Sequence, residues 1–525
     1  MFEIRKAEHS DVECVRDIFI SVYGHDYPYP GFYDTEWLKK LVYDDAVLFY
    51  VGELDGEVVL TCSMNLSVGA MDDMIGEAGR LVALPDERVR GKGYALQILD
   101  KLEDLTADKA QVVFAEARTP HRGSQRIIED LHWTAAGFEP MKYHLSGVRE
   151  SVVFYVKLQG LTRELRRNNP HIIPEIAPLA QTVLANLGFP VDTVVTVEEE
   201  GYPLCTTFNI DRLDQSGISS ILRIERGRVR DKEVFGGSFS LSHGIFQISN
   251  PETRYLIARD GGVVLGAIGF VHDPIDSKVR VIELIEFSDE VKGFLLSAVD
   301  RIAREELHAV YQEIDVSAYS PKIQRTLERL GFIPAAYCPS MVFGQVERLD
   351  IVRMVKLSCP YDPGPMKLLP PGARMCELVE RSMEEKMVGP EITEGIRNTE
   401  LFRELPDGDA QLLAKVCRIR SCHAGAALTV QGGEADHVFI LLDGTARVIR
   451  NGKTINTLER GDVCGEMALL EESNRVADVV LDGDCRVIEI DIDALNRLMD
   501  SRPALGYHVT KNLARGLSKK LRRTT

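Results

Sequence analysis

The sequence predicts an α/β (α+β) protein in which two tandem domains, with mixed sheets flanked by helices, precede a smaller C-terminal β-jelly roll with flanking helices. Two observations support this prediction. A strand-helix order that begins at Phe2 returns about 200 residues later, and short apolar strands separated by Asp-Gly and Asn-Gly turns follow Leu428 at even spacing. At roughly 100 to 200 residues per domain, 525 residues are enough for three or four domains.

The predicted boundaries follow from changes in composition along the chain. A helix stopped by Gly188 and Pro190 separates the two α/β domains, and a proline-rich stretch over 359–372 precedes the C-terminal module. We therefore divide the chain into a first α/β domain (1–158), a helical connector (159–205), a second α/β domain (206–357), a proline-rich linker with a helix (358–394) and a C-terminal module (395–525).

The second α/β domain is predicted to be an internal copy of the first. Corresponding segments supply a first strand, a hairpin turn, a helix start and the entry to a late strand, in the same order. These segments are 2–4 with 208–210, 55–56 with 260–261, 93–94 with 293–294, and 131–133 with 330–332. The sequence therefore predicts a tandem duplication.

Composition excludes several classes of function. The formal charge of -18 argues against whole-chain nucleic-acid binding, which needs a basic face. No apolar run reaches the length of a membrane span, and the charges among the first six residues argue against a signal peptide, so we expect a cytoplasmic protein. The 10 cysteines include no C-x-x-C pair, so we expect reduced thiols and no metal site.

A glycine-bearing loop in the first domain is the clearest candidate for binding a phosphate group. Its sequence is Arg88-Val89-Arg90-Gly91-Lys92-Gly93-Tyr94, and it joins a predicted strand to a predicted amphipathic helix. Amide groups at a helix N-terminus point outward and meet the positive end of the helix dipole, which suits a pyrophosphate. Glycines allow the backbone to come close to such a ligand.

This R-x-x-G-x-G pattern resembles the pyrophosphate loop of the GNAT acyltransferase superfamily, and the resemblance covers residues 1 to about 158. It implies acetyl-CoA, or another acyl-CoA, as the cofactor. It also implies that amides near Val82 and Leu84 bind the pantetheine arm. The residues that the resemblance assigns to the pyrophosphate are Arg88, Val89, Arg90, Gly91, Lys92, Gly93 and Tyr94.

Acyl transfer to an amine requires a base, because an ammonium has no lone pair. Glu77 stands where a base is found in histone-acetyltransferase-like members of the superfamily, although a solvated carboxylate at a strand end is the alternative. Glu116, on the next strand, is the second candidate. His121 falls where a polar residue near the CoA thiol is usual, and the alternative is an ordinary surface-loop histidine.

Both copies depart from the superfamily pattern. Many members supply a tyrosine as general acid from the last helix, but here that position holds Ile128 or Trp133, depending on the alignment. The second copy lacks three residues of the loop before Gly293 and has Arg280 at the position of Glu77. We therefore predict that residues 206–357 form a degenerate, non-catalytic GNAT-like domain.

A second motif lies in the C-terminal module, where Gly465-Glu466-Met467-Ala468-Leu469 is followed by Arg475. This motif resembles the phosphate-binding cassette of the cyclic-nucleotide-binding family, over about 395–521. The resemblance implies that Glu466 accepts the ribose 2'-hydroxyl, that Arg475 pairs with the cyclic phosphate, and that amides around Ala468 and Leu469 complete the anion site. An internal Glu-Arg pair in a ligand-free barrel is the alternative.

Two further features define the expected ligand and output of this module. Val476 and Ala477 stand where members that prefer cGMP often carry a hydroxyl residue, so we expect cAMP. The last predicted helix, 504–521, is basic, which indicates either a solvated face or a surface for an acidic partner. The sequence ends soon afterwards, so we expect no direct DNA binding of the catabolite-activator type.

Together, these resemblances imply an acyl-CoA-dependent N-acyltransferase that is regulated by cAMP. Bacterial protein acetyltransferases also join a cyclic-nucleotide module to a GNAT enzyme, which favours a protein lysine as the acceptor. The alternatives are a small amine acceptor and a non-enzymatic protein that senses acyl-CoA and cAMP. The sign of regulation and the formation of a homo-oligomer stay open.

Overall fold

The computed structural model describes residues 1–525 apart from 28, 69–72, 146, 205–206, 214–232, 236–252, 345, 415, 471–473 and 525. The chain divides into two compact units, Met1–Ser382 and Met383–Thr525. The division falls within one helix, Pro370–Arg397. Among the described residues, no helix is long and apolar enough to cross a membrane.

Residues 1–158, here called the first half, alternate strands with helices as the sequence predicts. The apolar positions of the first helix recur at helical spacing, and all four are buried: Val12, Val15, Ile18 and Phe19. In chain order the elements are β1 (Phe2–Lys6), α1 (Val12–Tyr23), α2 (Thr35–Val42), β2 (Val47–Leu54), β3 (Glu57–Val68), β4 (Ile75–Ala83), α3 (Tyr94–Thr106), β5 (Val112–Arg118), α4 (Gly123–Asp130), β6 (Thr134–Leu145) and β7 (Val148–Leu158).

A connector and a second half follow. The described elements of the second half correspond in order to β1 and then to β2 through β7 with α3 and α4, and they include one additional short strand. The connector contains β8 (His171–Ile172), α5 (Ala177–Asn186) and β9 (Val194–Val195). The second half, residues 209–357, contains β10 (Asn209–Leu213), β11 (Val234–Phe235), β12 (Thr253–Asp260), β13 (Val263–Asp273), β14 (Lys278–Glu286), α6 (Asp289–Glu305), β15 (Tyr311–Ser317), α7 (Pro321–Arg329), β16 (Ile333–Phe343) and β17 (Arg348–Leu357).

The two halves share one sheet, and its strand order reads the same from either edge. The order is β1-β2-β3-β4-β5-β7-β6 and then β16-β17-β15-β14-β13-β12-β10. The halves meet where β6 pairs with β16 at Gly137 and Ala336. A Cβ atom on Gly137 would lie 2.4 Å from the carbonyl oxygen of Ala335, so this close approach requires glycine. The mirrored order places the halves around a pseudo-two-fold axis.

Equivalent contacts cross this axis in both directions. Arg149 donates to the backbone oxygen of Asp276 in the other half at 2.9 Å, and the amide of His144 donates to the Asp276 carboxylate. In the reverse direction, Arg348 donates to the backbone oxygen of Asp73 at 2.7 Å, and the amide of Phe343 donates to the Asp73 carboxylate. Each half therefore forms hydrogen bonds with a loop of the other half, the loop that contains Asp276 or the loop that contains Asp73.

Residues 358–369, within the predicted proline-rich linker, are bonded to the first half. The amide of Lys367 donates to the Thr119 carbonyl at 2.7 Å, and Gln125 bonds both Lys367 and Leu369. Residues 370–372, assigned to the linker from sequence, form the start of helix α8 (Pro370–Arg397). Proline is compatible with that position, because the first helical residues need no intrahelical donor.

The C-terminal unit is a two-sheet β-structure with helices. The elements that follow α8 are α9 (Asp407–Ala414), β18 (Cys417–Cys422), β19 (Ala427–Thr429), β20 (His437–Leu441), β21 (Ala446–Arg450), β22 (Lys453–Leu458), β23 (Val463–Cys464), β24 (Asp478–Leu481), β25 (Cys485–Asp491), α10 (Ile492–Ser501) and α11 (Pro503–Thr524). The sheets run β18-β25-β20-β23 and β19-β24-β21-β22, as in a jelly roll.

Alternate residues of the C-terminal strands fill two separate cores. Phe439, Leu441 and Val487 lie between the two sheets. Val438, Ile440 and Ile488 point the other way and pack against the helices, because successive strand side chains face opposite sides. β20 and β25 are therefore packed on both faces, and β20 pairs with β23, the strand that precedes Gly465.

Candidate functional sites

The cassette predicted in the C-terminal unit forms a short helical turn that begins at a left-handed glycine. Gly465 has φ of 83° and is followed by a 3-10 helix over Glu466–Leu469. A Cβ atom on Gly465 would lie 2.6 Å from Nη1 of Arg475 and 2.8 Å from the carbonyl oxygen of His437. Glycine is therefore required here both by the backbone conformation and by the packing of Arg475.

Arg475 is buried at the cassette and is held mainly by backbone oxygens. Its Nη2 donates to the His437 carbonyl at 2.7 Å, and its Nε donates to the Glu434 carbonyl at 3.2 Å. The carboxylate of Asp436 lies 3.4 Å from Nη2. Only 8% of Arg475 is exposed. The guanidinium is thus fixed beside the helical turn, with one acidic neighbour.

The remaining residues of the predicted cassette differ in burial and in hydrogen bonding. Glu466 is buried beside Arg475, whereas Met467 and Val476 are exposed by 36% and 53%. The amide of Ala468 donates to the Gly465 carbonyl at 3.3 Å, and the Ala477 carbonyl accepts from the Thr429 hydroxyl at 3.0 Å. Leu469 ends the turn. The structure therefore buries Glu466 and Arg475 and leaves Met467 and Val476 at the surface.

Asp436 and His437 belong to this site, although the sequence analysis did not identify them. Nδ1 of His437 lies 3.1 Å from the Asp436 carboxylate. Partial burial by itself raises the pKa of Asp436, but the imidazole of His437 and the charge of Arg475 outweigh this effect and lower the pKa. The pairing of β20 with β23 brings them to the cassette, and no local motif indicates it.

In the first half, the glycine loop ends at the N-terminus of α3 with free donors. Gly91 and Gly93 have φ of 73° and 78°, and a Cβ atom on either would meet nothing within 4 Å. Among the described residues of this loop, the amides of Gly91, Gly93 and Tyr94 donate to no backbone acceptor. The surface is thus an open set of donors at a helix N-terminus.

Other residues of the predicted cofactor set are already engaged. The amides of Val89, Arg90 and Lys92 donate within the loop, and the Leu84 amide donates to the Val59 carbonyl at 2.9 Å. The backbone amides of this loop that are available to a pyrophosphate are therefore those of Gly91, Gly93 and Tyr94, which are fewer than the sequence predicts.

Two side chains of the predicted cofactor-binding residues, Arg88 and Val82, also make contacts within the protein. The Arg88 side chain bonds Asp86 at 2.6 Å and Glu57 at 3.0 Å, so in this structure it turns away from the open amides. Val82 is buried in the core beside β2.

Glu77 lies where two parallel strands separate. β4 and β5 pair only from Ile75 with Val112 to Glu77 with Phe114, and both strands continue beyond that point. The Glu77 side chain is 30% exposed, and its Oε1 lies 2.9 Å from Nη1 of Arg80. Glu77 is thus an accessible carboxylate at the opening between the strands, paired with one arginine.

Glu116 lies deeper, in a buried charge cluster at the boundary between the halves. Lys142 bonds Glu116 at 2.8 Å, Arg353 of the second half lies 3.4 Å away, and the Tyr143 hydroxyl also donates to Glu116. Burial by itself raises the pKa of Glu116, but Lys142 and Arg353 outweigh it and lower the pKa to about 2. A carboxylate held in this way is a weak base, so Glu77 is the better candidate.

His121 lies in an exposed loop at the start of α4. Partial desolvation and the positive charge of Arg118 lower its pKa. Its backbone oxygen accepts a hydrogen bond from Gln125 at 3.2 Å, and among the described residues no hydrogen bond joins its ring to Glu77. The structure therefore gives no direct contact between these two candidates.

In the second half, the position equivalent to Gly93 is covered by the connector. A Cβ atom on Gly293 would lie 2.2 Å from the carbonyl oxygen of Pro203, and Gly293 lies inside α6 rather than before it. The neighbouring Lys292 is buried, with Nζ 2.7 Å from Glu233 and 3.0 Å from the Tyr202 hydroxyl. The connector therefore packs against the second turn of α6, where Gly293 lies, and a cavity of about 470 Å³ stays open at the first turn beside Ser288, Asp289 and Lys292.

No group of three or more His, Cys, Asp or Glu side chains in the described part of the chain is arranged to hold a metal ion. The two candidate sites are the cassette around Arg475 and the opening beside Glu77.

Comparison with protein families and curated proteins assigns the C-terminal unit. The family model of the cyclic nucleotide-binding domain matches residues 419–502. A cGMP-dependent protein kinase of Plasmodium berghei (strain Anka) is 32% identical over 85 residues, which are 16% of this chain and 10% of the kinase. A cAMP-dependent protein kinase regulatory subunit of Schizosaccharomyces pombe is 35% identical over 77 residues, 14% of this chain and 19% of the subunit.

Solved structures show similarity in the same region. A cyclic nucleotide-binding domain from Methylobacillus flagellatus is 24% identical, covers 26% of this chain and 80% of its own, and gives a TM-score of 0.24. The Thermus thermophilus catabolite activator protein is 26% identical over 24% of this chain and 60% of its own, with a TM-score of 0.22. The match of the family model over residues 419–502 shows that the C-terminal unit of this chain contains a cyclic nucleotide-binding domain.

Proposed function

We propose that the protein is an acyl-CoA-dependent N-acyltransferase, with a protein lysine as acceptor, whose activity is regulated by cAMP bound to the C-terminal domain. The first half would carry the chemistry, with Glu77 as general base. The second half would be non-catalytic. A small amine as acceptor is the second candidate, because Glu77 can take the proton of any amine that reaches it.

The observation that carries the regulatory part is the buried guanidinium of Arg475 beside the left-handed turn at Gly465. A fixed guanidinium offers a fork of N–H groups to two phosphate oxygens, and the amides of the turn add further donors. A cyclic phosphate would replace Asp436 as the acidic neighbour of Arg475. Since Val476 has no hydroxyl to bind the guanine amino group, we propose cAMP rather than cGMP.

The acyltransferase part is supported by two features of the first half. The amides of Gly91, Gly93 and Tyr94 are free at the N-terminus of α3, which suits a pyrophosphate. β4 and β5 separate after Glu77, which leaves room between the strands for the pantetheine arm and the acyl group. An amine that enters this opening would meet the Glu77 carboxylate, which takes its proton, and would then attack the thioester carbonyl.

Regulation requires that cAMP favours one state of the first unit over another. A ligand shifts activity only through its difference in affinity for the two states, and a coupling of about 1 to 3 kcal/mol corresponds to a 5- to 150-fold effect. The rival is a sensor that binds both ligands and transfers no acyl group.

Isothermal titration of the full-length protein with cAMP and with acetyl-CoA tests the two binding sites separately. We expect wild-type protein to bind both ligands. Arg475→Gln should lose cAMP affinity by at least about tenfold, the loss expected for hydrogen bonds to a charged group, and should keep its affinity for acetyl-CoA. Arg447→Gln, at an exposed ion pair of the same domain, is the matched control. Binding of neither ligand would reject the proposal, and binding without CoA release would favour the sensor.

A further inference from the structure

Arg80 has an unusual backbone conformation beside Glu77. Its φ is 56°, in the left-handed region that non-glycine residues rarely adopt, and the register between β3 and β4 shifts between Thr61 and Ser63. In a regular strand, residues three apart point to opposite faces of the sheet. This bulge turns Arg80 toward Glu77 instead, at 2.9 Å. Backbone strain of this kind is often found at functional sites.

Most hydrogen-bonding groups of Arg80 are unused. A guanidinium has five N–H donors, and in the described part of the chain only Nη1 of Arg80 has an acceptor, the Glu77 carboxylate. The Arg80 side chain is 23% exposed. Arg353 and Arg348 are buried arginines of the same unit, and each donates from Nε, Nη1 and Nη2. Arg80 therefore differs from the structural arginines of this fold.

Tyrosines of the first half surround the Arg80 guanidinium. The charge of Arg80 acts on Tyr27, Tyr29 and Tyr143. Burial raises the pKa of the Tyr27 and Tyr29 hydroxyls, so both stay protonated donors at neutral pH. Neither hydroxyl has a hydrogen-bond acceptor among the described residues. The surroundings of Arg80 thus contain the unused hydroxyls of Tyr27 and Tyr29. They also contain three carboxylates, of which Glu77 bonds Arg80, Glu116 bonds Tyr143, and Asp276 acts on Tyr29.

We infer that Arg80 binds a carboxylate of a substrate, so that the first half takes either an acidic acyl group or an amine that carries a carboxylate. This inference rests on the proposed acyltransferase function of the same site. A guanidinium with free N–H groups binds a carboxylate through two parallel hydrogen bonds, and tyrosine hydroxyls add donors. The substrate carboxylate replaces Glu77 as the partner of Arg80. Oε1 of Glu77 is then free to accept the proton of the attacking amine.

Two pairs of probes distinguish the source of the carboxylate. Succinyl-CoA and acetyl-CoA differ by a carboxylate on the acyl group. Nα-acetyl-lysine and Nα-acetyl-lysine amide differ by a carboxylate on the acceptor. Affinities of the full-length protein for all four are measured by isothermal titration, and CoA release is measured for each donor-acceptor combination. The variants are Arg80→Gln and Arg80→Lys, with Arg126→Gln on the exposed face of α4 as the control.

We expect wild-type protein to bind the carboxylate member of one pair at least about tenfold more tightly than its neutral counterpart, as for hydrogen bonds to charged groups. The pair of probes in which the carboxylate member binds more tightly shows whether the carboxylate belongs to the acyl group or to the acceptor. Arg80→Gln should bind both members alike, Arg80→Lys should keep part of the preference, and Arg126→Gln should behave as wild type.

Equal binding within both pairs by wild-type protein would overturn the inference, and so would a preference that survives in Arg80→Gln. The wild-type comparison decides this even if the variants do not fold. CoA release without any preference would contradict the role of Arg80 and leave the acyltransferase standing. A carboxylate preference without CoA release from any combination would support the role of Arg80 and contradict the acyltransferase. Failure to bind any probe would contradict both.

Discussion

Gly465 combines two constraints that can be separated by mutation. Its left-handed conformation disfavours any side chain, and its Cβ position is occupied by Arg475. Gly452 has a similar φ of 76° but has nothing within 4 Å of its Cβ position. The pair therefore separates the effect of backbone strain from the effect of the lost space.

We predict that Gly452→Ala lowers the stability of the C-terminal domain by about 1 kcal/mol, the cost of a left-handed alanine. Gly465→Ala should cost more and should also weaken cAMP binding, because the methyl group displaces Arg475. Calorimetric unfolding and titration with cAMP measure the two effects. Equal cAMP affinity in both variants would show that Arg475 does not depend on the space at Gly465.

Glu77 is the residue whose substitution tests the proposed chemistry. Glu77→Gln keeps the size of the side chain and removes its ability to accept a proton, so we expect kcat for CoA release to fall by about 10²- to 10⁴-fold. Acetyl-CoA affinity should stay close to that of wild type. Glu13→Gln, exposed on α1, is the control. Unchanged turnover in Glu77→Gln would rule out this carboxylate as the base.

At the scale of elements, one buried glutamine bonds the segment before α8 to α4, in addition to the hydrogen bond from the Lys367 amide to the Thr119 carbonyl. Nε2 of Gln125 donates to the Lys367 carbonyl at 3.1 Å, and its Oε1 accepts from the Leu369 amide at 3.0 Å. The chain continues from this segment into α8, which ends at Arg397 within the C-terminal unit. These two bonds are the contacts through which a change in α8 would reach α4.

We predict that Gln125→Ala reduces the effect of cAMP on CoA release severalfold without changing cAMP affinity measured by titration. The reason is that the variant removes the hydrogen bonds between the segment and α4 and leaves the C-terminal domain intact. Ser124→Ala is a matched control, since the Ser124 hydroxyl is buried and has no hydrogen-bond partner in the described residues. A full cAMP response in Gln125→Ala would exclude this route.

The strands β5, β6, β15 and β17 carry a charge cluster at the boundary between the halves. Glu139 is fully buried there and faces Lys142, Arg353, Glu116, Glu313 and Tyr311. Burial raises the pKa of Glu139 to about 7, with Glu116 and Glu313 adding to the effect against Lys142 and Arg353. The folded chain therefore keeps a proton that the unfolded chain releases near pH 4.5.

The stability of the fold should therefore fall as pH rises. This proton stabilises the fold fully below about pH 4.5, and its contribution is lost as pH rises through about 7. At ~1.4 kcal/mol per pKa unit, the rise in pKa from 4.5 to about 7 corresponds to at most ~3.5 kcal/mol. We predict that Glu139→Gln removes this decline between pH 5 and 8. Trp37 and Trp133 both lie in the first half, so tryptophan fluorescence during urea unfolding reports it. A decline as steep as in wild type would contradict this assignment.

The sequence predicts elements better than it predicts contacts. α1, α3 and the strands around Glu77 follow from apolar periodicity and turn residues, and the cassette at Gly465 is a local motif. The bulge at Arg80 has no local signal, because it depends on the register of β4 against β3. The approach of Arg353 to Glu116 depends on how the halves meet, which periodicity does not encode.

At the scale of the whole molecule, the second half shares one sheet with the first half and contributes contacts that stabilise it. Its loop carrying Asp276 holds β6, and Arg353 enters the charge cluster that contains Glu116. The connector meanwhile covers the position in the second half that corresponds to the open amides of the first. The second half thus supports the strands of the first half beside Glu77.

The central claim is that a cyclic nucleotide bound at Arg475 changes an acyl transfer at Glu77. It is tested most directly by CoA release from acetyl-CoA and succinyl-CoA with a panel of proteins and small amines, with and without cAMP. We predict a cAMP-dependent change of about fivefold or more in wild-type protein, and none in Arg475→Gln at the same cAMP concentration. Turnover that is absent, or that is identical with and without cAMP in wild-type protein, would contradict the account.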